Sequence, residues 1–340
     1  MNEKHLGRQT VAFSRPPVIL AESGVAGRKE GEGPLGDRFD VVEPDAYFGQ
    51  STWEAAESAM LRRCLSQLLG KANLDSRALD YVLAGDLQNQ CAGAAYAMRG
   101  VPAPYFGLYA ACATFAEAVG MACMMIDGGY ARCCAALTGS HFCTTERQYR
   151  FPLEYGGVRT PTAQWTVTGA GALLLSGEGD GVRVTHFTAG IVADMGVTDI
   201  NNMGAAMAPA AFSTLKAHFA DTGRSPEDYD LILTGDLGHV GHAIVSDLFR
   251  REGVELSDRY DDCGRLIFDR ERQDVHAGGS GAGCSALVTA SHVMKLLRAG
   301  QLRRVLLAAT GALMSPVSAM QGESLPAICH AVAIEGEGVL

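Results

Sequence analysis

The segment Cys112–Gly139 reads CATFAEAVGMACMMIDGGYARCCAALTG and aligns without gaps with Cys284–Gly311. Seven of the 28 positions are identical, and both copies follow one order: a turn of small residues, a helix, a glycine stop, a buried strand and a Thr-Gly turn. A second pair of segments precedes them, DYVLAGDL at 80–87 and DLILTGDL at 230–237. Two matches in the same order predict an internally duplicated chain.

The duplication divides the chain into halves, residues 1–178 and 179–340, with the loop SGEGDG at 176–181 as their boundary. Each half alternates helical stretches with short apolar runs, which is typical of parallel sheets covered on both faces. The helix predicted near 112–127 is apolar almost all round, so it has to lie between layers. The sequence therefore predicts an α/β fold with two sheets and with helices between and outside them.

The composition is that of an acidic globular protein. Lys and Arg number 28 against 38 Asp and Glu, and the formal net charge is −10. Such a chain is not expected to have the basic surface patch that binds nucleic acid or anionic lipid. The N-terminus lacks the apolar core of a signal peptide, and the longest apolar stretch, 110–126, is short for a membrane span and contains Glu117. We expect an intracellular protein without a transmembrane segment.

The ten cysteines are scattered without a CxxC pair, which is typical of free thiols in a reducing compartment. A metal site requires grouped His and Cys ligands, and the sequence contains no such group. The run GGSGAG at 278–283 does not match a dinucleotide-binding loop, so we expect no cofactor.

Two cysteines occupy equivalent places in the duplication. Cys112 precedes a long helix, where unpaired N–H groups and the helix dipole favour a thiolate, so it is a candidate nucleophile. The alternative is one more buried thiol in a Cys-rich chain. Cys284 follows the Gly-rich run, and packing is the more frequent explanation for a thiol there.

Four histidines are also candidates. His276, in DVHAGG beside a helix start, has the position of a base or hydrogen-bond donor, or of an ordinary loop residue. His141 follows the Thr-Gly turn at a strand end. His239 and His242 form only a weak metal-binding pattern, because Gly241 lies between them.

Residues 144–168 form a polar, aromatic stretch without periodicity, a length typical of a lid or binding loop. Arginines there have the chemistry to hold a carboxylate through two hydrogen bonds. The alternative is a solvated or dimer-contacting loop. The candidates are Arg147, Arg150, Arg159, Gln164 and Trp165.

The duplicated halves, the turn AACATF at 110–115 and VHAGGSGAG at 275–283 resemble the thiolase superfamily, and AACATF resembles the nucleophile turn of ketoacyl-ACP synthase III. The resemblance implies a thiolase-like αβαβα fold and, in an enzyme, catalysis by Cys112 and His276. However, Gly235 stands where those enzymes carry a catalytic Asn or His, and the second cysteine of thiolases is missing from AATGALMSP. The catalytic set is incomplete.

One branch of the superfamily matches in longer stretches. ERQYRFPLEYGG, PTAQWTVTGAGA, TDINNMGAAMAPAA and QGESLPAICHAVAIE closely resemble the stage V sporulation protein AD family. The resemblance implies a non-catalytic protein that binds dipicolinic acid (pyridine-2,6-dicarboxylate), as its calcium salt, and supports its uptake into the developing spore. It also implies association with SpoVA-type membrane subunits at the cytoplasmic face of the inner spore membrane.

The same resemblance suggests how a flat aromatic dianion is held. The helix start at Ala111–Cys112 offers N–H groups, an arginine or His276 meets a carboxylate, and Trp165 or Tyr155 packs on the ring. Asp236 requires calcium or a proton between itself and the ligand. The predicted ligand-binding set is Ala111, Cys112, His141, Arg147, Arg150, Gln164, Trp165, Asp236 and His276.

Two other functions stay open at this point. One is an active acyl-CoA or acyl-ACP condensing enzyme that uses Cys112. The other is a structural subunit that only scaffolds a membrane transporter. The resemblance also implies a homodimer paired through a central strand, with the apolar run 131–137 as the candidate edge.

Overall fold

The computed structural model describes residues 4–150 and 156–338. Its strands are β1 (His5–Leu6), β2 (Thr10–Ala12), β3 (Val18–Gly27), β4 (Val41–Glu43), β5 (Tyr81–Gly85), β6 (Tyr105–Gly107), β7 (Cys133–Ser140), β8 (Trp165–Thr166), β9 (Gly169–Ser176), β10 (Arg183–Thr188), β11 (Leu231–Thr234), β12 (Tyr260–Asp262), β13 (Gly279–Ser280), β14 (Arg304–Ala312) and β15 (Ala327–Glu335). The helices are α1 (Arg28–Gly31), α2 (Trp53–Ala72), α3 (Ala92–Ala97), α4 (Thr114–Asp127), α5 (Phe142–Tyr149), α6 (Met203–Thr222), α7 (Gly238–Arg251), α8 (Cys263–Leu266), α9 (Ala282–Val288), α10 (Met294–Arg298) and α11 (Pro316–Met320).

The sheet topology repeats between the two halves. One half has the order β6-β5-β7-β9-β3 and the other β12-β11-β14-β15-β10. In each, the first three strands are parallel and the last two contacts are antiparallel. The repeated GDL strands are β5 and β11, and the repeated Thr-Gly strands are β7 and β14. The predicted duplication is thus visible strand by strand. The loop at 176–181 lies between β9 and β10, and its role as a domain boundary stays a prediction.

The helices form three layers around these sheets. α4 contacts β5 and β7 on one side and β14 and β15 on the other, and α9 packs on β7 and β9. α2 covers the outer face of the first sheet, and α6 packs on β14 and β15 from outside the second. This is the predicted αβαβα arrangement, and the all-round apolar character of α4 follows from its place between two sheets.

The predicted dimer edge was wrong. Residues 133–140 form β7, which pairs with β5 on one side and β9 on the other, so its backbone groups are already hydrogen-bonded. An apolar run of this kind marks a central strand buried on both faces, not an edge. The edge of this sheet is β6, where Phe106 is 42% exposed. The homodimer itself stays a prediction, with β6 as its candidate edge.

Candidate functional site

The Cys112 turn lies just before α4 and is fixed by one side chain. The hydroxyl of Thr114 donates to the carbonyl of Ala111 (2.6 Å) and accepts from the backbone N–H of Ala110 (2.9 Å). Ala111 has a φ of 51°, an unusual conformation for a residue with a Cβ. Gly311 of β14 backs the turn so closely that a Cβ there would lie 2.3 Å from the Ala110 carbonyl oxygen. Strand, hydroxyl and glycine together hold Cys112 in one position.

Asp236 lies beneath Cys112, and its carboxylate accepts three hydrogen bonds. Its Oδ1 accepts from the Thr310 hydroxyl (2.6 Å), and its Oδ2 accepts from the Ser280 hydroxyl (2.7 Å) and the Gly281 N–H (3.1 Å). The Cys112 thiol lies close enough to this carboxyl to affect its pKa. Burial raises the pKa of Asp236, and the hydroxyl hydrogen bonds and the nearby thiol oppose that rise. The site floor is therefore an acidic group without a cationic partner among the described residues.

Burial and the Asp236 carboxyl together control the protonation of the Cys112 thiol. Burial, followed by the charge of Asp236, raises the pKa of the Cys112 thiol well above its ordinary value. A helix start alone would lower it. The thiol is therefore protonated at neutral pH.

A cavity opens above Cys112, and the roughly 470 Å³ of empty space around its lining includes open solvent at its mouth. Its apolar wall includes Leu87, Met203 and Met314. At the mouth the hydroxyls of Tyr109 and Tyr149 lie 2.8 Å apart, and Tyr149 donates to the Leu87 carbonyl (2.7 Å). The pocket thus combines an aromatic rim with an apolar wall.

Arg150 supplies the one guanidinium that lines this cavity. Its Nη2 donates to the Gln164 carbonyl (3.2 Å), and its Nη1 lies 2.9 Å from Glu146 Oε2. That contact is out of hydrogen-bond alignment, so Nη1 is buried without a hydrogen-bond acceptor among residues 4–150 and 156–338. Glu146 also accepts from the Thr166 hydroxyl (3.0 Å). Arg150 is therefore a cavity-lining cation already paired with Glu146, and a ligand carboxylate would share its guanidinium with that partner.

The structure gathers part of the predicted ligand-binding set and separates the rest. Ala111, Cys112 and Arg150 line the cavity, and Asp236 and Gln164 support its floor. Gln164 does so by donating to the carbonyls of Asp236 and Gly279. These five residues meet although more than a hundred positions separate some of them, because segments of both halves converge at one centre.

Arg147 and Trp165 lie outside this cavity. Arg147 faces solvent, forms an ion pair with Glu54 and lies over the ring of Trp53. Trp165 is stacked on Phe142 at 3.8 Å, and Lys29 lies 3.6 Å from its ring centroid. Its ring already has partners, so it does not provide a stacking surface to the cavity. Tyr155 lies outside the described residues.

The predicted histidines are likewise engaged elsewhere. His276 contacts the Thr160 carbonyl (2.7 Å) and Asp274 (2.9 Å) in a surface recess away from the Cys112 cavity. His141 caps α5 by accepting from the Cys143 N–H (3.2 Å), and its Nε2 lies 2.8 Å from the Ala46 carbonyl oxygen. Both nitrogens of His141 are occupied in holding the backbone. Neither residue is brought to Cys112.

Sequence reasoning missed several residues of the site. Ser280 and Thr310 hold Asp236, Glu146 pairs with Arg150, and Tyr109 and Tyr149 form the rim. Thr310 had a signal, because it repeats Thr138 in the duplication. The tyrosine pair had none, since it depends on how α5 meets the loop after β6.

The first half carries a second buried acidic group at the equivalent GDL turn. Asp86 accepts from the N–H groups of Gln88 (2.7 Å) and Ala94 (2.6 Å), and Glu57 of α2 accepts from the Gln88 side chain (2.8 Å) and the Thr144 hydroxyl (2.6 Å). Burial, and then the charge of Asp86, raises the pKa of Glu57 to about 8. Glu57 thereby joins α2 to α5, the helix that bears Tyr149.

We expect Glu57→Gln to change how stability depends on pH. Glu57 keeps its proton in the fold but loses it on unfolding between its ordinary pKa and about 8, so the free energy of unfolding falls as pH rises through that window. The variant should reduce this slope by up to about 1.4 kcal/mol per pH unit in urea titrations at several pH values. Glu54→Gln, on the exposed face of the same helix, is the control. Equal slopes in all three proteins would contradict the assignment.

Two features are absent from the described residues. These residues contain no group of three or more His, Cys, Asp and Glu side chains arranged to hold a metal ion. In the same part of the chain, no helix has the length and apolarity needed to cross a membrane.

The fold matches condensing enzymes of known structure. A 3-oxoacyl-ACP synthase III from Aquifex aeolicus aligns over 94% of this chain and 99% of its own, with a TM-score of 0.55 and 13% identity. A variant of OleA from Xanthomonas campestris aligns over 95% of this chain and 99% of its own, with a TM-score of 0.61 and 13% identity. A synthase III from Xanthomonas oryzae aligns over 97% of this chain and 100% of its own, with a TM-score of 0.59 and 14% identity. At these identities the likeness establishes a thiolase-like fold alone.

Sequence comparison identifies the family within this fold. Residues 7–335 match the family model described as stage V sporulation protein AD. The protein of that name from Bacillus subtilis (strain 168) is 45% identical over 335 residues, which covers 98% of this chain and 99% of the relative. The chain belongs to the stage V sporulation protein AD (SpoVAD) family.

Proposed function

We propose that this protein binds dipicolinate in the Cys112 cavity, as a calcium salt, and supports the uptake of that compound into the developing spore without catalysis. Family membership places the chain in sporulation. The observation that carries the ligand class is Arg150, a guanidinium paired with Glu146 on the wall of an apolar, tyrosine-rimmed cavity. A carboxylate on a flat ring suits both the guanidinium and the wall.

The charge of the cavity favours the calcium salt over the free dianion. Asp236 and Glu146 are buried carboxyl groups; Arg150 pairs with Glu146, and Asp236 has no cationic partner among the described residues. A dianion would add two negative charges to a site where acidic groups already outnumber cations, and burial of like charges is costly. A calcium ion bound by the ligand removes that penalty.

Calorimetric titration with dipicolinic acid, with and without calcium, tests the proposal. We expect saturation near one ligand per chain and tighter binding when calcium is present. Isophthalate, which has the same two carboxylates but no ring nitrogen to complete the chelate, should gain nothing from calcium. The absence of saturable binding in both conditions would refute the proposal and leave the structural-subunit alternative.

The fold's likeness to condensing enzymes raises the alternative of acyl transfer by Cys112. Such a nucleophile requires a thiolate and a base. Burial and the neighbouring Asp236 carboxyl instead raise the pKa of the Cys112 thiol. Neither His141 nor His276 reaches the thiol. We therefore favour ligand binding.

Thiol labelling distinguishes these two functions. With iodoacetamide at pH 8 and peptide mapping, we expect Cys112 to label more slowly than the half-buried Cys133. Asp236→Asn should raise the ratio of Cys112 to Cys133 labelling, because it removes the charge that holds the pKa of the thiol up. Rapid labelling of native Cys112, or a stable thioester after incubation with acyl-CoA, would favour the enzyme.

Association with SpoVA-type membrane subunits, at the cytoplasmic face of the inner spore membrane, is part of the same proposal. The finding that supports it is family membership. A chain without a spanning helix among its described residues would take part in membrane transport through such partners.

A further inference from the structure

Two neighbouring segments form an exposed apolar surface in the second half of the chain. One is the loop 191–197 after β10, and the other contains α11. Ala193 and Ala327 exchange both backbone hydrogen bonds, and the Leu325 N–H donates to the Val197 carbonyl (2.8 Å). The segments therefore lie side by side on one face.

Large apolar side chains on this face point into solvent. The exposed fractions are 72% for Met195 and 79% for Met320, with 59% for Val317. Ile191 and Val192 add 46% and 53%. Clustered exposure of this kind marks interaction surfaces, and flexible methionines are frequent where one surface packs against another. We call Ile191, Val192, Met195, Val317 and Met320 the methionine face.

The surroundings of the methionine face are acidic. Segments 189–202 and 313–327 contain Asp194, Asp199 and Glu323 and no Lys, Arg or His. All three carboxylates are exposed, and none has a cationic partner within 4 Å in the described part of the chain. An apolar surface with an unneutralised acidic border complements an apolar segment flanked by Lys or Arg.

We propose that the methionine face docks a cationic amphipathic segment of another protein, with apolar side chains on the methionines and flanking basic residues on Asp194, Asp199 and Glu323. A lipid surface fits less well, because anionic headgroups repel an acidic border. Met314, which precedes α11, lines the Cys112 cavity, so the docked segment lies beside the cavity mouth.

Fluorescence anisotropy with a labelled synthetic helix, Leu on one face and Lys at both ends, tests this surface on the full chain. We expect saturable binding that weakens with added salt, and at least tenfold weaker binding to the same helix with Glu in place of Lys. The double substitution Met195→Ser and Met320→Ser should weaken binding at least tenfold. Asp194→Asn with Glu323→Gln should remove most of the salt dependence.

Tyr130→Ser is the matched control, because Tyr130 is an equally exposed apolar side chain, 80%, in the loop between α4 and β7. It should leave peptide binding unchanged. Melting temperatures of all variants show whether a substitution unfolds the protein, and dipicolinate titrations show whether it affects the ligand site.

Equal binding of the Lys and Glu helices, or no effect of the methionine changes, would overturn the proposal. Methionine-dependent binding to phosphatidylglycerol vesicles would assign the face to lipid instead, and methionine-dependent self-association would assign it to a second copy.

Discussion

Arg150→Gln should weaken dipicolinate binding tenfold to about a hundredfold, the range for a lost hydrogen bond to a charged group. The guanidinium is 15% exposed, lines the Cys112 cavity and is the positive charge that a ligand carboxylate would meet there. Glutamine keeps much of the length but removes the positive charge. The measurement is calorimetric titration with calcium dipicolinate.

Arg147→Gln is the matched control for that substitution. It lies three residues earlier on the same segment but points to solvent, where it pairs with Glu54, so its loss should leave affinity unchanged. Glu146→Gln separates ligand contact from the loss of a buried ion pair, since it breaks the pair and keeps the guanidinium. Equal losses in Arg147→Gln and Arg150→Gln would move the site out of the cavity. Equal losses in Glu146→Gln and Arg150→Gln would show that the ion pair, not the ligand contact, matters.

Gly171→Ala should cost about 3 kcal/mol of unfolding free energy or leave the protein insoluble. Gly171 lies in β9, and a Cβ there would lie 2.2 Å from the backbone carbon and oxygen of Ala286 in α9. Backbone cannot rotate away as a side chain can, so the sheet and the central helix would have to separate. Denaturant unfolding of the purified variant measures the loss.

Gly70→Ala provides the opposite result with the same chemical change. Gly70 lies in α2, and a Cβ there would meet nothing within 4 Å. Alanine is the better helix former, so we expect a gain of about 0.5 to 1 kcal/mol. If Gly171→Ala proved as stable as Gly70→Ala, the close contact between sheet and central helix would be wrong.

The layered fold was predictable because duplication and apolar periodicity act through the whole chain. The repeat of Cys112–Gly139 at Cys284–Gly311 predicted equivalent elements, and the structure has them as α4 with β7 and α9–α10 with β14. The edge strand was misassigned because an apolar run shows burial but not strand order. Strand order depends on crossover connections, which leave no periodic signal.

The site was predictable only where it is built from repeated segments. Cys112 opens the repeated segment that continues as α4 and β7, and Asp236 follows the repeated strand β11; both reach the centre. Arg147, Arg150 and Trp165 lie in one aperiodic stretch, and their directions depend on partners such as Glu54, Glu146 and Phe142 that sequence spacing does not reveal. His276 looked like a catalytic residue by its neighbours in the chain, but its ring turns to Asp274 and Thr160.

The most direct test of the account is a crystal structure of the protein soaked with calcium dipicolinate. We predict ligand density in the cavity bounded by Tyr109, Tyr149 and Arg150, with one carboxylate on Arg150 and the anomalous signal of calcium between the ligand and Asp236. Ligand density in the surface recess at His276, or an empty Cys112 cavity in crystals of a protein that binds the ligand in solution, would contradict it.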